Sequence, residues 1–199
     1  MNQKHTFIFA GRSGCGKGTQ RKLLNEYFSQ KFPGENIFHY YSGDTFREFI
    51  AKEDNYSSKI SNAIMARGDL QPNFLAVWLW ATSFVNNLKG DEHIFIDGSP
   101  RALVEAQSLD SAMKFYKRHK PHFIVIDVSK EESHKRLLSR KREDDTEESI
   151  KKRVNWYDTQ VVPAVNFYRD NPDYHFIEVN GEQSIEDVHK ELISKIKLD

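Results

Sequence analysis

The chain has 199 residues, and its 29 Lys and Arg balance 29 Asp and Glu, so the formal net charge is zero. This balance gives no basic field that would favour nucleic acid as the main partner. Apolar runs fall short of the ~20 residues that span a bilayer, and the N-terminus lacks the pattern of a secretory signal. The single cysteine, Cys15, excludes an internal disulfide and a zinc site of paired cysteines. We therefore expect a soluble, cytoplasmic monomer without zinc and without a membrane partner.

Strand-like apolar runs alternate with helical patterns along the chain. The strand candidates are 5–10, 36–41, 93–98, 122–128 and 174–179. The main helical patterns cover 16–31, 44–68, 72–88, 147–168 and 185–196, and Pro163 should kink or split the fourth. This alternation predicts an α/β three-layer sandwich, in which a five-stranded parallel sheet has helices on both faces. Ligands of such sheets bind beyond the carboxyl ends of the strands.

A glycine-rich loop, GRSGCGKGT, follows the first strand from Gly11 to Thr19. Glycines let backbone N–H groups converge on an anion, and the next helix adds the positive end of its dipole. Lys17 supplies a mobile charge for the outer phosphates of a nucleotide. Gly18 occupies the position where such loops usually place the Ser or Thr that reaches magnesium, and Thr19 lies one place further on. The loop therefore predicts phosphate binding, in a variant form.

Four segments, in chain order, resemble the motifs of adenylate kinases and related nucleoside monophosphate kinases. They are GKGTQ at 16–20, YSGDTFRE at 41–48, DGSPR at 97–101 and RKREDDTEESIKKR at 140–153. Each is weak alone, but together they cover nearly the whole chain. The resemblance implies one phosphate-loop kinase domain over 1–199, with a small acceptor-binding insert at 42–71 and a very short lid at 139–146.

The resemblance also implies roles for individual residues. The catalytic candidates are Lys17, Arg101, Arg140, Arg142 and Arg153. The ATP-binding candidates are Gly14, Cys15, Gly16, Lys17, Gly18, Thr19, Arg140 and Gln183. The candidates for binding the acceptor monophosphate are Ser42, Arg47, Asp69, Leu70, Gln71, Gly98, Ser99, Pro100, Arg101, Glu105, Arg142 and Arg153. Mg²⁺ would accompany ATP, with Asp97 orienting it through water and Thr19 as a second candidate. Arginine suits such a site because its planar fork grips phosphate with two hydrogen bonds.

The sequence departs from the family pattern in the loop and in the lid. Ser13 replaces the usual loop proline, which should loosen the turn slightly. Only Lys141 separates Arg140 from Arg142, so a long, metal-binding lid is excluded. We expect so short a lid to exclude water incompletely and to permit some ATP hydrolysis without an acceptor.

The third departure concerns the acceptor base. Adenylate kinases carry Gln four residues after the arginine of DGxPR, and here that residue is Glu105. An ionised carboxylate only accepts hydrogen bonds, so it fits the two donors of guanine better than N1 of adenine. Glu105 could instead be protonated, bind through water, or sit on an exposed first turn of a helix.

The expected function is transfer of the γ-phosphoryl group of Mg-ATP to AMP, which gives two ADP. The alternatives are a kinase for GMP or a pyrimidine monophosphate, a transfer-inactive nucleotide-binding protein, and a phosphate-loop ATPase that acts on another protein. The aromatic residues after Arg153, including Trp156 and Tyr157, are interpreted as packing residues.

Overall fold

A computed structural model describes residues 4–140 and 146–198. Its sheet contains the strands β1 (Thr6–Ala10), β2 (Ile37–Tyr41), β3 (His93–Asp97), β4 (His122–Asp127) and β5 (His175–Asn180). All neighbouring strands are parallel, in the order β2-β3-β1-β4-β5. The register places Ile8 of β1 opposite Ile96 of β3 and Phe123 of β4. The predicted five-stranded parallel sheet is confirmed.

The helices α1 to α9 span Lys17–Lys31, Ser42–Lys52, Tyr56–Ala66, Asn73–Asn87, Leu103–Phe115, Lys130–Arg140, Glu147–Trp156, Val162–Arg169 and Ile185–Lys195. The helical stretches predicted over 44–68 are the two helices α2 and α3. Asn55 separates them, because its side chain accepts the N–H of Ser58 and caps the start of α3. No helix in the described part of the chain is long and apolar enough to cross a bilayer.

Side chains alternate between the two faces of the sheet. Ile8 and Ala10 of β1 belong to a core that also contains residues of α4, α5 and α8. Phe7 and Phe9 belong to a second core, which contains residues of α1 and α9. Each fully buried side chain of this size contributes roughly 1.5–3 kcal/mol. The predicted three-layer arrangement, with helices on both faces, is confirmed.

The helical segment after residue 146 is divided, as Pro163 predicted. Helix α7 ends at Trp156, a π-helical turn covers Tyr157–Val161, and α8 begins at Val162 with Pro163 in its first turn. Proline lacks an N–H and its ring crowds the carbonyl four residues earlier. The backbone widens before it, and the N–H of Val162 bonds to the carbonyl of Tyr157, five residues back.

Four histidines form a row at the amino ends of the strands. The ring centroids of His5 and His93 are 5.6 Å apart, those of His5 and His122 are 6.1 Å apart, and those of His122 and His175 are 5.1 Å apart. Burial, assisted by the neighbouring His175 and His5, lowers the pKa of His122 to about 4. This row lies at the edge of the sheet opposite the ends where ligands bind, so we treat it as a stability element.

Candidate functional site

The carboxyl ends of β2 and β3 and the loop that follows β1 border a cavity of about 470 Å³. The predicted site residues that line this cavity are Gly14, Gly16, Lys17, Gly18, Thr19, Ser42, Arg47, Asp69, Leu70, Gln71, Asp97, Gly98, Ser99, Arg101, Glu105, Arg140 and Arg153. They come from distant parts of the sequence, and they include candidates for binding ATP and candidates for binding the acceptor monophosphate. The cavity is large enough for an elongated polar ligand, since ligand pockets commonly measure ~300–1,000 Å³.

The glycine-rich loop forms one wall of the cavity and leads into α1. Gly16 precedes the helix with a φ of 99°, in the left-handed region that favours glycine. The ammonium group of Lys17 folds back and donates to the carbonyl oxygens of Gly11 at 2.8 Å and Arg12 at 3.0 Å. A Cβ on Gly18 would meet no heavy atom within 4 Å, so steric crowding does not explain this glycine.

Asp97 and Thr19 line the same cavity and are the oxygen ligands expected for magnesium. Mg²⁺ bound with a nucleotide takes one or two carboxylates together with phosphate and water oxygens, so this donor set fits the metal. Oδ2 of Asp97 pairs with Nε of Arg21 at 3.2 Å. Among the described residues, no group of three or more His, Cys, Asp or Glu side chains is arranged to hold a metal ion.

Ser42, Gly98 and Arg101 form a hydrogen-bonded unit on the acceptor side. The Ser42 hydroxyl and Nε of Arg101 both donate to the carbonyl of Gly98, at 2.7 Å each. The second guanidinium nitrogen of Arg101 donates to the Ser42 hydroxyl at 3.3 Å. The strand-end motif DGSPR is thereby joined to the start of α2, which fixes the direction in which Arg101 points.

Glu105 is buried beneath this unit, with 2% of its surface exposed. Its Oε2 accepts the backbone N–H of Arg101 at 2.6 Å, whereas its buried Oε1 makes no hydrogen bond within residues 4–140 and 146–198. Burial raises the pKa of Glu105, although the Arg101 N–H, the Ser99 hydroxyl and the Arg101 charge act to lower it. Of the alternatives for Glu105, an exposed position on the first turn of a helix is excluded, because the first turn of α5 packs against the DGSPR segment.

The arginines of the site reach the cavity from three helices. Arg47 of α2 pairs with Asp44 at 2.6 Å, Arg140 ends α6, and Arg153 lies on α7 with Ser149 as one of its partners. Arg136, one turn before Arg140, donates to the carbonyl of Gly181 at 2.9 Å and also lines the cavity. This concentration of positive charge suits a ligand with several phosphates.

Four of the predicted site residues are not among the described residues that line the cavity. The side chain of Cys15 is 1% exposed and packs in the core, with Sγ 3.5 Å from the Lys17 ammonium. Pro100 borders a separate cavity of about 50 Å³. Gln183 is exposed and donates to Asn180 and Glu191. Arg142 lies outside the described residues, as does most of the predicted lid at 139–146.

Gln71 lines the cavity, but its side chain is committed to the insert. Its amide nitrogen donates to the carbonyl of Ser61 at 2.8 Å, and its amide oxygen accepts the Ser61 hydroxyl at 3.0 Å. Hydrogen bonds from the 69–71 segment to a base must therefore come from its backbone or from another side chain.

Among the lining residues that sequence reasoning did not assign to the site are Arg21 and Trp156. Arg21 follows Lys17 by one turn of α1, so the four-residue spacing could have identified it. Its guanidinium lies 3.5 Å from the ring centroid of Tyr41. The indole N–H of Trp156 donates to the carbonyl of Gly68 at 3.2 Å, which joins α7 to the predicted acceptor insert. The packing interpretation is confirmed for the buried Tyr157 and is incomplete for Trp156.

Known proteins resemble this chain over almost its whole length. A family model described as Adenylate kinase matches residues 9–172. The chain is 29% identical to the adenylate kinase of Flavobacterium psychrophilum, over 93% of this chain and 94% of that protein. It is 29% identical to the adenylate kinase of Petrotoga mobilis, over 96% of each chain. It is 30% identical to the adenylate kinase of Prochlorococcus marinus (strain MIT 9211), over 93% of each chain.

Proposed function

We propose, from the premise that the chain belongs to the adenylate kinase family, that its cavity joins Mg-ATP to AMP in one transfer step. The family catalyses the conversion of ATP and AMP to two ADP, and the chain is an ATP-dependent nucleoside monophosphate kinase. The observation that carries the proposal is that the phosphate loop, the 42–71 insert and the strand-end DGSPR motif border one and the same cavity.

The donor end would use the phosphate loop and Lys17. The Lys17 ammonium bonds to the carbonyls of Gly11 and Arg12, and its remaining N–H, which lies near Sγ of Cys15 at 3.5 Å, would turn to the phosphate oxygens. The backbone of Gly14 to Thr19 would hold the remaining phosphate oxygens at the start of α1. When bound, Mg²⁺ would neutralise charge on the phosphates, and Asp97 and Thr19 are the residues that would hold it through water or directly.

The acceptor end would use two arginines. Arg47 and Arg101 would grip the monophosphate, while Arg140 and Arg153 would stabilise the charge on the transferring group. Arg142 is proposed for the same task from the resemblance alone. Such a site needs no covalent intermediate, because phosphoryl transfer depends mainly on positioning and charge neutralisation.

Adenine as the acceptor base is supported by the relatives, since three proteins named adenylate kinase match the chain over 93–96% of its length. Glu105 does not decide between the bases. Its Oε2 accepts the Arg101 N–H and can accept a second hydrogen bond, whereas its Oε1 is buried and could meet a base only after a local rearrangement. A GMP kinase is the second candidate, because an ionised Glu105 could accept N1–H and N2–H of guanine.

The test compares acceptors. Purified protein with Mg-ATP is given AMP, GMP, CMP or UMP, and products are identified by chromatography. We expect ADP formation that depends on AMP, and little ADP formation with the Lys17→Ala control. A clear preference for GMP that reverses in Glu105→Gln would contradict AMP as the acceptor. Absence of transfer with all four acceptors would contradict the kinase proposal itself.

The division into one domain over 1–199, with an insert at 42–71 and a lid at 139–146, is part of the same proposal. So are a monomeric active species, a cytoplasmic location, and the absence of nucleic acid and membrane partners. The separate helices α2 and α3 support the insert, since they pack with α4 around a small core of their own.

A further inference from the structure

A single buried side chain, Arg12, connects the phosphate loop to the end of α7. Its two terminal nitrogens donate to the carbonyl of Val154 at 2.9 Å and to Oδ1 of Asp158 at 2.8 Å. The guanidinium also lies 4.3 Å from the ring centroid of Tyr157. The residue is 8% exposed and does not line the 470 Å³ cavity. Since a buried charge is costly unless it is well paired, these contacts hold Arg12 firmly.

The partner carboxylate is itself held from two sides. Lys130 pairs with Oδ2 of Asp158 at 2.8 Å while Arg12 takes Oδ1. Hydrogen bonds from Arg12 and Lys130 lower the pKa of Asp158 to about 2. Asp158 therefore stays ionised throughout the pH range in which a kinase assay is run.

Both ends of this connection adjoin residues proposed for transfer. The carbonyl of Arg12 accepts the Lys17 ammonium at 3.0 Å, so movement of the Arg12 backbone moves that anchor. At the other end, Val154 directly follows Arg153 on α7. Arg12 thus links the loop that carries Lys17 to the helix that carries Arg153.

The loop needs such an anchor because Ser13 provides no ring to restrict its backbone. The Ser13 carbonyl accepts the Ser133 hydroxyl of α6 at 2.5 Å, which holds one side of the loop. Arg12 holds the other side by its contacts with the end of α7 and the π-helical turn. The expected loosening by Ser13 is therefore offset by a side chain that reaches across the fold.

We propose that Arg12 is a positioning residue for phosphoryl transfer, fixing the distance between Lys17 and Arg153 without touching a substrate. The inference rests on the proposed function, since Lys17 and Arg153 take their roles from it. A misplacement of about 1 Å can cost on the order of 100-fold in rate, whereas binding of flexible nucleotides tolerates it better. Arg12 therefore acts on kcat more than on KM.

The test is steady-state kinetics of Arg12→Ala, well below its melting temperature. We expect kcat to fall about tenfold or more, with KM for ATP and for AMP within about threefold of wild type. Arg12→Lys should give an intermediate kcat, because one ammonium cannot bond to Val154 and Asp158 with the geometry of the fork. If Arg12→Ala does not fold, Arg12→Lys and Asp158→Ala carry the comparison.

A double-mutant cycle tests whether Arg12 acts through Asp158. The double variant Arg12→Ala/Asp158→Ala should lose no more kcat than Arg12→Ala alone. Arg169→Ala is the matched control, because Arg169 has an ion pair with Glu178 at 2.7 Å and stacks on Phe176 at 4.6 Å, but does not line the cavity. The control should lose stability and retain kcat.

Three results would overturn the inference: a kcat of Arg12→Ala within twofold of wild type, a kcat loss that matches the loss of folded protein measured by circular dichroism, or a rise in KM with kcat unchanged.

Binding of diadenosine pentaphosphate to wild type, measured by calorimetry, separates the two proposals. A wild type that binds this two-nucleotide ligand and transfers phosphoryl groups upholds the proposed function whatever Arg12 does. A wild type that does neither overturns the function and the inference with it.

Discussion

Replacing His122 by Phe should remove a large part of the acid sensitivity of the fold. The His122 ring is 2% exposed, and the effect of its burial outweighs the backbone hydrogen bonds at Lys197 and Thr6, which favour the charged ring. Its pKa falls from the usual 6.5 to about 4 in the folded chain. The ring stacks on Phe7 with centroids 5.0 Å apart, so another aromatic ring can take its place.

The sign and size follow from proton linkage. Because the folded pKa is lowered, the unfolded chain binds the proton more tightly between pH 6.5 and 4. Stability from neutral His122 is therefore complete above pH 6.5 and is lost as the pH falls through this window. A shift of this size corresponds to on the order of 3 kcal/mol, at about 1.4 kcal/mol for each pKa unit.

The assay is urea unfolding followed by circular dichroism at pH 7.5 and pH 4.5. Wild type should lose about 2–3 kcal/mol more than His122→Phe between these two pH values. His119→Phe, at an exposed position, is the control and should follow wild type. Equal losses in wild type and His122→Phe would refute the reasoning, and would mean that the other histidines of the row carry the acid response.

Gly68→Ala should destabilise the fold by at least about 1 kcal/mol and raise KM for AMP. The reason is that φ of residue 68 is +72° and that a Cβ there would lie 2.6 Å from Cα of Ser149; urea unfolding measures the first effect and steady-state kinetics the second. Trp156→Phe should raise KM for AMP about fivefold with kcat little changed, since it removes one hydrogen bond of about 1 kcal/mol to the insert. Wild type should hydrolyse ATP without an acceptor faster than Lys17→Ala, and equal rates would contradict the expected leak through the short lid.

Local patterns predicted most of the fold and most of the cavity lining. Short apolar runs identified every strand of the described sheet, because a strand that is buried on both faces is apolar along its whole length. The phosphate loop was recognisable for the same reason, since strand, glycines, Lys17 and helix are contiguous. The motifs at 41–48 and 97–101 converge on the cavity because parallel strands place their carboxyl ends at one edge.

Only the tertiary structure shows which charged groups from distant parts of the sequence form ion pairs. Arg12 and Asp158 are 146 residues apart in sequence, and Arg21 and Asp97 are 76 apart. No periodicity relates such positions, because their contact depends on how α1, α7 and the sheet pack together. The commitment of one Glu105 oxygen to the Arg101 backbone was equally invisible, since it requires the turn between β3 and α5 to be built first. The sequence by itself determined the sheet, the loop and the kind of ligand. Packing decided the partners of each charged group, because those partners come from distant segments of the chain.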